Sequence, residues 1–337
     1  VTNATDPAKF ESGVSDGTWV WLVPLNAKQL VRVNPTTGAM TGYAAWPTTP
    51  QLTAAADTEK FIGGAFDGVS IWLSPLSARQ VVKVDPVSGA MTGYAGWPST
   101  PQVTASTDIG KFHSAAFDGT DVWLVAYNAL QMVRVQSSGA MTGFAGWPTT
   151  PQVTAATDVY KFIGGVFTGD AVWLVPLSAR QVVKMSTGTG AMTGYAGLPL
   201  FAAPMADKFA GGAFDGQAVW LAPYNAPSVV RVDVATGTMT AYGGWPTTPQ
   251  TTLGADTGKF YGAFYDGRSV WLIPQDARQL VRVDPATGIM TGYAAFPTTP
   301  QPTNPTDSNK FRGAVYDGRC LWLVPWNALQ AVTVCSR

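Results

Sequence analysis

One position in an otherwise monotonous chain varies in a way that could do chemistry. Seven Lys-Phe pairs recur along the sequence, and the residue after each Phe is Glu11, Ile62, His113, Ile163, Ala210, Tyr261 or Arg312. Neighbouring positions change far less from copy to copy. A carboxylate, an imidazole, a phenol and a guanidinium brought to one point could move protons or hold a polar ligand. Glu11, His113, Tyr261 and Arg312 are therefore one candidate site, although drift at a solvated position explains the variety equally well. His113 is the only histidine, and the sequence offers no recognisable Ser/His/Asp, Cys/His or phosphate-cradling arrangement.

A second candidate set repeats instead of varying. Asn26, Ser77, Asn128, Ser178, Asn225, Asp276 and Asn327 hold one position in the seven copies, and Lys28, Arg79, Arg180 and Arg278 stand two residues later in four of them. Trp46, Trp97, Trp147 and Trp245 recur further on, with Leu198 and Phe296 in their place in two copies. An indole face beside an amide and a guanidinium suits a sugar ring, whose axial hydrogens pack on the aromatic while its hydroxyls take directional hydrogen bonds. Repetition around a ring would add avidity. The same residues also read as packing, each Trp a wedge between copies and each Asn or Ser a cap on its own turn. The Asp three residues before the Lys in most copies (Asp57, Asp108, Asp158, Asp256, Asp307) reads as a turn or local ion pair. One carboxylate among Thr hydroxyls falls short of a calcium cage, so no metal and no cofactor is expected.

The elements that must position these groups are short strands. Copies start near residues 9, 60, 111, 161, 208, 259 and 310, a period of about 50 residues. In the second copy a strand runs from Phe61 to Phe66 into the hairpin turn Asp67-Gly68, and another from Ser70 to Pro75. The loop Leu76 to Arg79 leads to a third strand, Gln80 to Val84, and the turn Asp85 to Gly89 to a fourth, Ala90 to Trp97. A long Pro- and Thr-rich connection follows. No window keeps a helical period free of Pro and Gly. The fold class is all-β: a seven-bladed β-propeller of four-stranded antiparallel blades, one domain over residues 1–337.

Copy seven stops after its third strand, so the last blade is three-stranded. A ring tolerates a missing strand at the rim and not at the hub. The Lys-Phe strand should therefore line the central channel, which turns the variable position toward the axis. The strand-two tryptophans, beginning with Trp21, belong to the core. Pairing the last hairpin about Asn327-Ala328 sets Cys320 directly opposite Cys335, the close approach a disulfide needs. An oxidised pair favours an extracellular or lumenal compartment.

Composition narrows the partners. Charged residues make up 12% of the chain, hydrophobic ones 46%, and the formal net charge is zero. No basic run exists to bind nucleic acid by counterion release, and no apolar run approaches the roughly 18 residues of a membrane span. The start, Val1-Thr2-Asn3-Ala4-Thr5, lacks a signal segment and a methionine, which suggests a processed form, and Asn3 heads an N-glycosylation pattern.

The run typified by Asp67-Gly68, Ile71-Trp72-Leu73, Gln80-Val81-Val82-Lys83-Val84-Asp85-Pro86 and Gly89-Ala90-Met91-Thr92 resembles the seven-bladed propellers of the broad NHL, YncE and virginiamycin B lyase type. The resemblance covers essentially the whole chain and implies the fold. For the lyases it would also imply a His and Glu constellation working with a divalent metal, and a single histidine supplies no matching set. The expected protein is a secreted, non-enzymatic binding propeller, carbohydrate-directed (lectin-like) and multivalent through one loop face. The alternatives are a self-assembling extracellular scaffold that binds a protein surface, and an enzyme with an axial site at the channel mouth.

Overall fold

The computed structural model describes residues 8–47, 59–98, 109–148, 159–199, 207–246, 257–296, 309–328 and 330–335. Its strands form seven antiparallel sheets, six of four strands and one of three, each in sequence order, with no helix among the described residues. The inner strands are Phe10–Ser15, Phe61–Phe66, Phe112–Phe117, Phe162–Phe167, Phe209–Phe214, Phe260–Tyr265 and Phe311–Tyr316. Each lies against the inner strands of the blades on either side, and the seventh lies against the first, so the ring closes. The Lys-Phe strand is thus at the hub, and the short strands such as Met91–Tyr94 are at the rim.

The rim strand ends sooner than the sequence suggests, at Tyr94 and not Trp97. The chain leaves the sheet there because Trp97 folds over onto the next blade, where its ring stacks on Phe112.

Second strands are buried along their whole length in six blades, Val20–Pro24 for example, since each is covered by a blade on both faces, and in the seventh only Trp322 is half-buried. Their tryptophans carry one polar atom into this apolar layer. In six blades the Asp of the preceding turn accepts the indole N–H at 2.6–2.8 Å. The other oxygen of the same carboxylate caps the turn, as Asp67 does by accepting from Val69 and Ser70 at 2.8 and 2.6 Å. Burial alone would raise the Asp67 carboxyl, but the Trp72, Ser70 and Val69 donors outweigh it and hold the pKa below the usual range.

Blade four breaks this arrangement. Thr168 stands in place of Asp, and the Trp173 indole nitrogen is buried with no acceptor. Thr168→Asp is therefore expected to stabilise the protein by about 1 kcal/mol, the net worth of one recovered hydrogen bond. A urea midpoint that stays put or falls would contradict this.

Close approach also limits side chains at the hub and at the rim. At the hub, a Cβ on Gly63 would lie 2.8 Å from the Ser114 Cα, and one on Gly211 (φ +85°) 2.7 Å from the Gly262 Cα, so these two positions require glycine. At the rim, the Gln80 amide occupies the space above Gly93 that a side chain would fill. Blade five changes both partners, with Ser228 for the Gln and Ala241 for the Gly.

The last blade ends in the strand Val332–Cys335. Cys320 pairs directly with Cys335, and the two form a disulfide with Cα atoms 4.2 Å apart. Across the closing seam Phe10, Val20 and Leu22 of the first blade pack with Val315 and Val324 of the seventh.

Candidate functional site

The variable position has a structural cause. In every blade the register between the first two strands slips immediately after the Phe, leaving one extra residue on the inner strand. A bulge frees that residue from the ladder and re-aims its side chain. Four of the seven bulge side chains are polar, and the ring brings these four together.

Arg312 Nη1 donates to Glu11 Oε1 at 3.0 Å and Oε2 at 3.2 Å, joining the seventh blade to the first. Its Nε donates to Gln275 Oε1 at 3.1 Å. The guanidinium lies 3.7 Å from the Trp326 ring centroid and 4.7 Å from that of Tyr261. The Tyr261 hydroxyl bonds Glu11 and meets His113 Nε2 at 2.9 Å, spanning the channel from blade six to blade three. Tyr127 lies 5.1 Å from the imidazole, and Tyr224 meets Tyr261 edge-on at 6.0 Å. Glu11 and His113 are 1% and 7% exposed, whereas Tyr261 and Arg312 keep part of their surface open. A cavity of about 180 Å³ lined by all seven inner strands adjoins the cluster.

Burial dominates the electrostatics. It pushes the Glu11 carboxyl up, although Arg312 and Tyr261 pull it back part of the way. It raises the Tyr261 phenol well above its ordinary value, helped by Glu11. Burial and the Arg312 charge together bring His113 down to about 3. A general base is most effective with a pKa near ambient pH, and His113 and Tyr261 stand far from it on opposite sides.

Because His113 is unique, its ring gives one set of NMR signals. These are expected to stay in the neutral form from pH 8 to about pH 4.5; a titration near pH 6.5 would contradict the burial argument. The unfolded chain takes up this proton near pH 6.5. The contribution of His113 to stability is therefore complete above that pH and is lost as pH falls toward about 3.

The repeating set occupies the joints between blades. The indole N–H groups of Trp46, Trp97, Trp147 and Trp245 donate to the carbonyls of Lys28, Arg79, Leu130 and Pro227 at 2.8–3.1 Å. Their rings stack on Phe61, Phe112, Phe162 and Phe260 of the following blade at 5.6–5.7 Å. Asn26, Asn128 and Asn225 accept the backbone N–H of Glu59, Tyr160 and Gly258 at 2.8–2.9 Å, so each amide caps its neighbour's turn, not its own. Ser77 accepts from Gly110 at 3.5 Å, and Ser178 donates to Asp207 at 3.5 Å. Lys28, Arg79, Arg180 and Arg278 are exposed. Asn3, the five repeated aspartates and most of the long connection lie outside the described residues.

Sequence reading missed a second ring of contacts. The residue after each second strand is Leu25, Leu76, Tyr127, Leu177, Tyr224, Gln275 or Trp326, and several of these surround the axial cluster. The signal was present: this position varies between copies much as the bulge position does. Among the described residues no three His, Cys, Asp or Glu side chains gather to hold a metal. At the axis Glu11 is engaged by Arg312 and the single histidine by Tyr261, an arrangement that does not fit the lyase constellation.

No protein-family model and no curated protein matches the chain by sequence. Solved structures match over its whole length. A virginiamycin B lyase from Staphylococcus aureus bound to quinupristin aligns with a TM-score of 0.70 at 14% identity, covering 100% of this chain and 97% of that one. The extracellular domain of a protein described as a hybrid two-component system of B. thetaiotaomicron aligns at 0.64 and 12% identity, covering 99% of this chain and 39% of that one. PorZ, a surface component of the type-IX secretion system of Porphyromonas gingivalis, aligns at 0.58 and 10%, covering 98% and 38%. The likeness to these proteins is one of fold, and their functions differ.

Proposed function

We propose that the chain is an extracellular binding propeller that holds a small, neutral, polar ligand of the carbohydrate class at the axial mouth of its loop face, without turning it over. The observation that carries this reading is the convergence of Glu11, Arg312, Tyr261 and His113 beneath Tyr127, Tyr224 and Trp326. Aromatic faces beside donors and acceptors whose charges cancel suit a sugar better than an ion. The depressed His113 and elevated Tyr261 pKa values favour binding over acid–base catalysis. The disulfide and the extracellular domains among its fold neighbours support the location.

A second reading places sugars at the blade joints, where Trp46 and Trp97 keep some exposed surface and bond the carbonyls of the exposed Lys28 and Arg79. Glycan-array binding separates the two. Loss on Trp326→Ala alone supports the axis. Loss on combined Lys28→Ala and Arg79→Ala supports multivalent joints. A wild-type protein that binds no glycan overturns both.

A further inference from the structure

The residue before each Lys adopts a left-handed backbone in all seven copies, with φ between 50° and 67°. Glycine meets that requirement at Gly110 and Gly258. In blade four the position is held by Tyr160, which has φ 57° and is 47% exposed. A bulky side chain disfavours this conformation, and burial does not compensate it here. Strain of this kind persists where the side chain serves some other purpose.

What Tyr160 touches indicates the purpose. Its ring packs 4.9 Å from that of Tyr127, which packs 5.1 Å from His113, so an aromatic path runs from the outer lip to the axial cluster. The residue preceding it, Val159, is 55% exposed, and the equivalent residue of blade three, Ile109, is 72% exposed. Thr257 holds this place in blade six. The lip is therefore apolar at blades three and four. These blades lie across the ring from the Glu11–Arg312 pair of blades one and seven, so the mouth has a polar side and an apolar side.

We infer that Tyr160 is a ligand-contacting residue of the axial mouth, and that the ligand is an amphipathic glycoside whose apolar aglycone lies on Tyr160 and Tyr127 while its sugar faces Arg312 and Gln275. The inference rests on the axial carbohydrate reading and adds the chemistry of the ligand's other end. It assigns Tyr160 a contact role through its ring face and not its hydroxyl.

The test compares methyl and 4-nitrophenyl glycosides of glucose, galactose, mannose and N-acetylglucosamine by calorimetry, with 4-nitrophenol alone as a further probe. For any sugar that binds, the nitrophenyl form is expected to bind at least about tenfold tighter than the methyl form. Tyr160→Gly should abolish that difference, leave the methyl glycoside unchanged and keep or raise Tm, while Tyr160→Phe should retain the difference. Equal affinity of the two forms for wild type, or an equal loss of both on Tyr160→Gly, overturns the inference and leaves the carbohydrate reading standing. If no glycoside binds but 4-nitrophenol binds wild type and not Tyr160→Gly, the lip is supported and the carbohydrate reading falls. If none of the probes binds, both fall.

Discussion

Replacing Arg312 with alanine is expected to cost about 3–5 kcal/mol of folding stability, the range for removing one partner of a buried ion pair. Glu11 is 1% exposed and receives two bonds from the guanidinium. Without Arg312 its carboxylate would remain buried with only the Tyr261 phenol, and the cheapest response is to bind a proton. Arg312→Ala combined with Glu11→Gln should therefore recover much of the loss, because a neutral amide tolerates burial better than a charge. The position of the pair enlarges the effect. It crosses the junction of the first and seventh blades, whose residues are brought together only by closure of the ring. Urea unfolding of the two single variants and the double variant would give the coupling energy directly. A cost below 1 kcal/mol would place this pair with exposed ion pairs and remove it as a closing contact.

Replacing Cys320 and Cys335 with serine is expected to cost about 3 kcal/mol, the chain-entropy value for a loop of this size, the two cysteines being 15 residues apart in sequence. The consequence should be local before it is global. In complete blades the third strand is covered by a fourth, and Val82 and Val84 are fully buried. In the seventh blade Thr333 and Cys335 are exposed and Val334 is half-buried. The disulfide holds an edge that packing holds elsewhere. Hydrogen exchange in the double variant should show faster opening at Val332 and Val334 than at their counterparts Val281 and Val283 in blade six. Equal protection in the two blades would show that the edge strand needs no cross-link. Because Cys320 begins the strand beside the one that carries Arg312, the two perturbations are expected to combine non-additively.

The functional assignments differ in how far they were legible in the chain. The variable position after each Phe singled out four residues that do lie together at the axis, since one changing residue in a repeated setting needs no structure to be noticed. The same logic would have marked Tyr127, Tyr224, Gln275 and Trp326. The repeated Trp and Asn residues show the limit. Their types and spacing fit a sugar platform and a blade joint equally well. Bonds to the next blade, such as Asn26 to Glu59 across 33 residues, cannot be inferred from composition.

The sequence by itself determined the period, the strands, their order in each blade, the place of the hub strand and the pairing of Cys320 with Cys335. All of these follow from local alternation, turn chemistry and register, which act over a few residues. Only the tertiary structure decided that Arg312 meets Glu11, 301 residues away, and that Tyr261 reaches His113, 148 residues away. Ring closure and the bulge after each Phe set those contacts, and both are properties of seven blades packed together, not of any one repeat.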